Sequence, residues 1–244
     1  MQQVLPAALL AIYAVVFPIA AVEAAVVSTF DADADGWTQF QNTGGTLDHF
    51  AAGGNPGGHI AVTDYTGDWG YLAAPGKFLA PGAYGGSLSF DLKHLNGDGN
   101  TPVYGVRVGL QGAGFTLISE AAVPTNQWTS YLFALTEGTG WRIFGNLSQN
   151  YSDAALAPTK VQMQAILADL TGLYIAADYT NSCGLCGAVG PDRTYLDNVR
   201  IDTAAVPLPA ALPLFASGLA AFGLLGWSRR RNTRGMACPA SLER

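Results

Sequence analysis

Along the middle of this chain, hydrophobic and polar residues alternate in short runs. Clusters of Gly, Pro, Asn and Asp separate the runs. Leu88, Phe90 and Leu92 fall on one face of an extended segment, with Ser89, Asp91 and Lys93 on the other. Val106, Val108 and Leu110 oppose Arg107, Gly109 and Gln111 in the same way. A period of two residues predicts half-buried strands. The segments with this character are Val26–Phe30, Trp37–Gln41, Leu47–Phe50, His59–Thr63, Tyr71–Ala73, Gly86–Leu92, Val103–Gln111, Phe115–Ile118, Trp128–Ala134, Leu173–Ala177 and Tyr195–Ile201. Many short strands with regular turn punctuation predict an all-β sandwich. Thr159 to Leu170 differs: Val161, Ala165 and Leu167–Ala168 recur at helical spacing, and Pro158 stands near a helix start. This predicts one short helix capping an end of the sandwich. No internal repeat is present.

The two ends of the chain are apolar without alternation. Leu5 to Ala21 is followed by Val22-Glu23-Ala24, whose small residues suit a signal peptidase. Residues 1–24 therefore read as a secretory signal peptide, although Met1-Gln2-Gln3 carries no Lys or Arg. At the other end an uncharged run from Ala211 to Trp227 stops at Arg229, Arg230 and Arg231. Such a run approaches the roughly 17–25 residues that cross a bilayer as a helix. The arginines act as a stop-transfer signal that leaves the C-terminus, residues 232–244, in the cytoplasm. Val206, Pro207, Leu208, Pro209 and Ala210 lead into the run. This order of proline motif, apolar span and arginine cluster resembles the PEP-CTERM sorting tails of Gram-negative bacteria, in their Val-Pro-Leu-Pro-Ala variant. The resemblance, over residues 204–231, implies an exosortase-type sorting enzyme as partner. It also implies a membrane-anchored precursor and a destination at or beyond the cell surface.

Residues 25–203 remain, the length of one domain. Between Ser28 and Thr203 there are seven basic and sixteen acidic residues. Without clustered Lys and Arg to neutralise phosphates, the domain is not a nucleic-acid binder. Its acidity suits divalent cations and neutral or cationic partners. Cys183 and Cys186 form a single Cys-x-x-Cys in a glycine-flanked segment. One such pair supplies only two zinc ligands, so a small local disulfide in an exported domain is the reading. Cys238 lies beyond the apolar span.

The middle region carries an ordered series of motifs: Trp69-Gly70-Tyr71 with Pro75 and Phe78-Leu79; Tyr84-Gly85-Gly86 leading to Leu88, Phe90, Asp91 and Leu92; Trp128 and Tyr131; Met163, Ile166-Leu167, Asp169-Leu170-Thr171 and Leu173; Tyr174-Ile175 with Asp178-Tyr179; and Tyr195-Leu196-Asp197-Asn198-Val199. Together they resemble the laminin B domain, also called laminin domain IV type A, from about Trp69 to Ile201. The resemblance implies a jelly-roll, galactose-binding-like sandwich of an extracellular, non-enzymatic family. It also places Trp128 and Tyr131 together in a core strand.

Three kinds of chemistry remain open. Asp31-Ala32-Asp33-Ala34-Asp35-Gly36 copies the start of an EF-hand loop, but the twelfth position is Asn42 rather than a bidentate acid. In a jelly roll the first and last strands lie together, so Asp197 is expected to complete a structural Ca²⁺ site with Asp31 or Asp33. A calcium-stabilised carbohydrate-binding module is therefore an alternative reading. Tyr65, Trp69 and Trp141, near glycine-rich loops, are its candidate platform residues for polysaccharide. A glycan hydrolase is the second alternative, requiring two carboxylates roughly 5–9.5 Å apart. No motif selects such a pair, and His49, His59 and His94 have no metal-ligand spacing.

Overall fold

The computed structural model describes residues 25–41, 45–64, 69–79, 82–97, 102–180 and 192–204. Twelve strands and one helix run in the order β1 (Ala25–Ser28), β2 (Thr38–Phe40), β3 (Thr46–Phe50), β4 (His59–Asp64), β5 (Tyr71–Ala73), β6 (Ser87–Leu95), β7 (Arg107–Gly112), β8 (Phe115–Glu120), β9 (Thr129–Ala134), β10 (Arg142–Phe144), α1 (Lys160–Ala168), β11 (Leu170–Ala176) and β12 (Asp192–Asp202). They form two six-stranded antiparallel sheets. The first has the order β3-β4-β12-β6-β9, with β1 also paired to β12; the second has the order β10-β8-β7-β11-β5-β2. The expected sandwich with one short helix is therefore present. β10 is an addition to the expected strands, because three residues of Arg142–Phe144 are too few to show a period. The segment read as a signal peptide, the motif Val206–Ala210, the apolar C-terminal run with Arg229–Arg231, and Cys183 and Cys186 lie outside the described residues. No helix among the described residues is long and apolar enough to cross a membrane.

The alternation read from sequence sets the core. Leu88, Phe90 and Leu92 of β6 meet Ile60, Val62, Leu196 and Val199 of the first sheet against Leu72, Val108, Leu110, Leu117 and Ile175 of the second. Apolar burial of this kind, at about 25 cal/mol per Å², is the main stabilising term.

Part of the outer face of the second sheet is covered rather than open to water. Residues 145–151 lie across it: Leu147 is buried over Gly109, and its carbonyl accepts from the Tyr71 hydroxyl at 2.5 Å. A Cβ on residue 109 would overlap the Leu147 side chain, so glycine is required there. Arg107, expected on a solvated face, is consequently only 1 % exposed. It pairs with Glu120 and donates to Gln149 O at 3.0 Å.

Helix α1 begins in a capping box. Gln162 N donates to Thr159 Oγ1 at 3.3 Å and Thr159 N donates to Gln162 Oε1 at 2.9 Å. Each of these satisfies a backbone N–H that the helix or its entry would otherwise leave unpaired. Met163, Ile166 and Leu167 turn into the core. Replacing Thr159 by Ala is expected to lower unfolding stability by about 1 kcal/mol, read from urea denaturation midpoints.

Candidate functional site

The site arises where β12 changes neighbours. Along one edge, residues Asp192–Leu196 pair with β4 and Val199–Asp202 pair with β1. Along the other edge, the register with β6 shifts between Asp197 and Arg200, which inserts one extra residue. Asn198 takes up this bulge at φ 50°, a left-handed conformation that Asn tolerates better than most residues. On the edge shared by β4 and β1, residues 197–198 have no strand opposite them. Carboxylates and the 51–58 loop between β3 and β4 fill the gap.

Asp197 is fully buried there, accepting from Asn55 N and from Asn198 N, each at 2.6 Å. Asp91, on the outer face of β6, accepts from Ser130 Oγ at 2.5 Å and from Asn198 Nδ2 at 2.8 Å. Asn55 Nδ2 also reaches Asp91, at 3.3 Å. Asp31, just beyond β1, accepts from Gly58 N at 3.1 Å and from Thr29 Oγ1 at 2.9 Å. Thus three carboxylates from three parts of the chain hold one glycine-rich loop. A Cβ on Gly54 or Gly57 would collide with Asp197 or Asp31, so the loop must be glycine-rich to come this close.

The charge here is one-sided. None of the ion pairs among the described residues involves Asp31, Asp91 or Asp197. Burial pushes Asp197 up to about 6, and the charges of Asp91 and Asp31 add to the rise, against the two backbone N–H groups that favour the ionised form. Asp31 moves the other way: the Gly58 N–H, then the Thr29 hydroxyl, hold it below the usual carboxylate range. Among the described residues, no group of three or more His, Cys, Asp or Glu side chains is arranged to hold a metal ion. A hard cation at this place would therefore draw on main-chain carbonyls as well as carboxylates, which suits Ca²⁺. Carbonyls at hand are those of Phe30, which contacts His49 Nε2 at 2.7 Å, and of Asn55, which accepts from Asn198 Nδ2 at 2.5 Å.

The expected residues divide. Asp31 and Asp197 are brought to one loop. Asp33 is not: its Oδ1 accepts from Asp35 N at 2.7 Å within a tight turn, and Asp35 is engaged by Ser28 and Lys77. The alternate spacing that suggests shared ligation is broken by that turn, because successive carboxylates point in different directions. Asp91 takes the third place. In the sequence it stands on the outward face of an alternating strand, within a laminin B-like motif, but nothing there pairs it with Asp31 or Asp197.

Of the platform candidates, Trp141 is corrected outright. It is 1 % exposed, its indole N–H donates to Ala134 O at 2.8 Å, and its ring packs on Phe133. The glycines beside it make a turn that folds the ring inward. Trp69 is half-buried, with the Arg107 guanidinium 4.0 Å from its ring and Tyr104 at 4.9 Å. Tyr65 lies outside the described residues. Conversely Trp128, placed in the core by resemblance, stands half-exposed on the outer face of the first sheet, while Tyr131 points inward. The glutamates are structural in their contacts: Glu120 pairs with Arg107, and Glu137 accepts from the Tyr84 hydroxyl at 2.7 Å.

Several solved structures are similar in fold. The L4b domain of human laminin α-2 shares 17 % identity at a TM-score of 0.40, over 55 % of this chain and 70 % of that one. A family 11 carbohydrate-binding module from Clostridium thermocellum, in complex with a β-1,3-1,4-mixed-linked tetrasaccharide, shares 13 % at 0.45, over 75 % and 96 %. The CBM22-1 xylan-binding domain from Paenibacillus barcinonensis Xyn10C shares 15 % at 0.45, over 77 % and 100 %. No curated protein matches the sequence. The family model described as Laminin B (Domain IV) matches residues 71–214, more than half of the chain. This interval spans β5 to β12, including Asp91 and Asp197 with the bulge that joins them. The chain belongs to the laminin B (domain IV) family.

Proposed function

We propose that this protein is an exported, non-enzymatic component of the cell surface or extracellular matrix, built on a calcium-stabilised laminin B sandwich that binds polysaccharide or matrix components. Membership of the laminin B family carries the non-enzymatic, extracellular part of the reading. The calcium part draws on Asp31, Asp91 and Asp197, three carboxylates gathered at a strand switch with no cationic partner among the described residues. A divalent ion would offset their repulsion and tie the 51–58 loop to β1, β6 and β12. The polysaccharide part draws on Trp128 and Tyr195, half-exposed aromatic side chains on the outer face of the first sheet.

The test of the calcium reading is thermal unfolding in excess EDTA and in millimolar Ca²⁺. Saturation at about a hundred times the dissociation constant contributes roughly 3 kcal/mol, which is about 5–10 °C for a domain of this size. Equal melting temperatures in both conditions would remove calcium from the reading.

The route of export rests on Val206–Ala210, the apolar run and Arg229–Arg231, which we read as a sorting tail processed by an exosortase-type enzyme. Intact mass and terminal peptides of the protein from membrane and medium fractions of its native host test this. Loss of everything beyond the Val206–Ala210 region is expected. A membrane-bound protein ending at Arg244 would instead make the tail a plain anchor.

A further inference from the structure

Beside the acidic site, the outer face of the first sheet carries a compact aromatic cluster with two cations. Phe50 stacks on His59 at 4.9 Å, and His59 meets Tyr195 at 5.5 Å and Trp128 at 5.8 Å. The register explains the grouping. Phe50 is opposite His59, and Tyr195 is opposite Lys93, so side chains from β3, β4, β12 and β6 share one face with Trp128 at the entry to β9. The Lys93 ammonium lies 4.3 Å from the Tyr195 ring centre and 5.0 Å from that of Trp128. The Arg193 guanidinium lies 5.5 Å from Phe50 and 5.9 Å from Tyr195.

Two features separate this patch from ordinary surface packing. Among the described residues Lys77, Arg107, Arg142, Arg193 and Arg200 each sit against a carboxylate, whereas Lys93, like Lys160, enters no ion pair, and Lys93 rests on two rings. In a domain with more than twice as many acidic as basic residues, an unpaired lysine on half-exposed rings is uncommon. Secondly, His59 is 6 % exposed and its Nδ1 has no hydrogen-bond partner. Burial, then the charges of Lys93, His49 and Arg193, hold its titration below the usual histidine range.

We propose that this face binds a polysaccharide bearing carboxylates, a uronate polymer, with sugar faces laid on Trp128 and Tyr195 and carboxylates held by Lys93. The proposal rests on the polysaccharide-binding reading and gives it a place and a ligand class. Flat apolar ring faces match the C–H faces of sugars, and they keep solvent from the ammonium. A carboxylate then makes a charge-assisted hydrogen bond with a cation that has no acid of its own. One unpaired lysine beside a paired arginine is too few to neutralise a nucleic-acid phosphate backbone. The 51–58 loop joins the patch to the acidic site, because Trp128 Nε1 donates to Gly53 O at 3.3 Å.

Affinity electrophoresis of the full-length chain through polygalacturonate, and through the same polymer after carboxyl reduction, is the test. Retardation on the native polymer that falls on the reduced one, and falls with added salt, is expected. Trp128→Ala should weaken retardation on the order of tenfold. Lys93→Gln should weaken it several-fold and flatten the salt dependence; it leaves every ring in place, so it serves if Trp128→Ala disturbs folding. Equal retardation on the reduced polymer, or retention by Lys93→Gln equal to that of the parent, would overturn the site while leaving polysaccharide binding standing. No retardation on acidic or neutral polysaccharides would overturn both.

Discussion

Replacing Arg107 by Met should destabilise the domain by about 3–5 kcal/mol, the cost of removing one partner from a buried ion pair. Arg107 is 1 % exposed and stands on the outward face of β7, under residues 145–151. Its Nε and Nη2 donate to Glu120 Oε1 at 2.8 and 2.5 Å, and its Nη1 reaches Gln149 O at 3.0 Å. Methionine fills most of the volume but leaves the Glu120 carboxylate without its cation and the Gln149 carbonyl without a donor. It also removes the charge that lies over Trp69. Unfolding in urea should show the loss, and proteolysis should cut first near residues 145–151. Adding Glu120→Leu to Arg107→Met should recover most of the stability, since an apolar pair restores consistency to a dry site. A single-variant loss below about 1 kcal/mol would mean that the pair is solvated and the overlying segment loosely held.

At Asp197 the expected result is a dependence on pH with an uncommon sign. The folded-state value, raised to about 6, exceeds the ordinary carboxylate value of the unfolded chain. Between the two values the native state holds the proton more tightly, so stability from this group falls as pH rises from about 4 to about 6. The full loss is at most about 3 kcal/mol, because each tenfold change in proton affinity is worth about 1.4 kcal/mol. In EDTA, the gap in melting temperature between the parent and Asp197→Asn should therefore move in the variant's favour over this pH range. Millimolar Ca²⁺ should restore the parent at pH 7 and leave Asp197→Asn unmoved. Asp31 acts oppositely: its value is depressed, so its hold on Gly58 is kept at neutral pH and lost when acid protonates it. A parent-minus-variant gap that stays constant from pH 4 to pH 7 would show that Asp197 ionises as freely in the folded as in the unfolded chain.

Most of the sandwich was legible because period-two alternation is a local property. Leu88, Phe90 and Leu92 face inward because one face of the first sheet must leave water. The helix was legible as an element, but its inward face was not: Val161 is 73 % exposed, and Met163, Ile166 and Leu167 are the buried residues. The candidate site was legible only in part. Asp31 and Asp197 were expected together because the first and last strands of a jelly roll lie side by side, and β1 does pair with β12. Asp91 carried no such signal, since its role depends on the bulge at Asn198 and on a loop whose Asn55 reaches both carboxylates.

Trp141 and Trp128 show the limit most clearly. Each stands beside turn residues, so exposure of the two rings looks alike in sequence. The side of the sheet on which each ring emerges follows from strand register: β9 begins at Thr129, and its outward residues include Ser130 and Leu132. Sequence alone determined most of the strands, the presence of the helix, the acidic balance and the apolar ends, because each depends on neighbours a few residues apart. Tertiary structure decided which polar faces are covered, as at Arg107, and which carboxylates meet. It also decided which aromatic rings reach water. Those outcomes depend on loops folding across sheets and on one inserted residue in β12, contacts between positions far apart in the chain that no local period encodes.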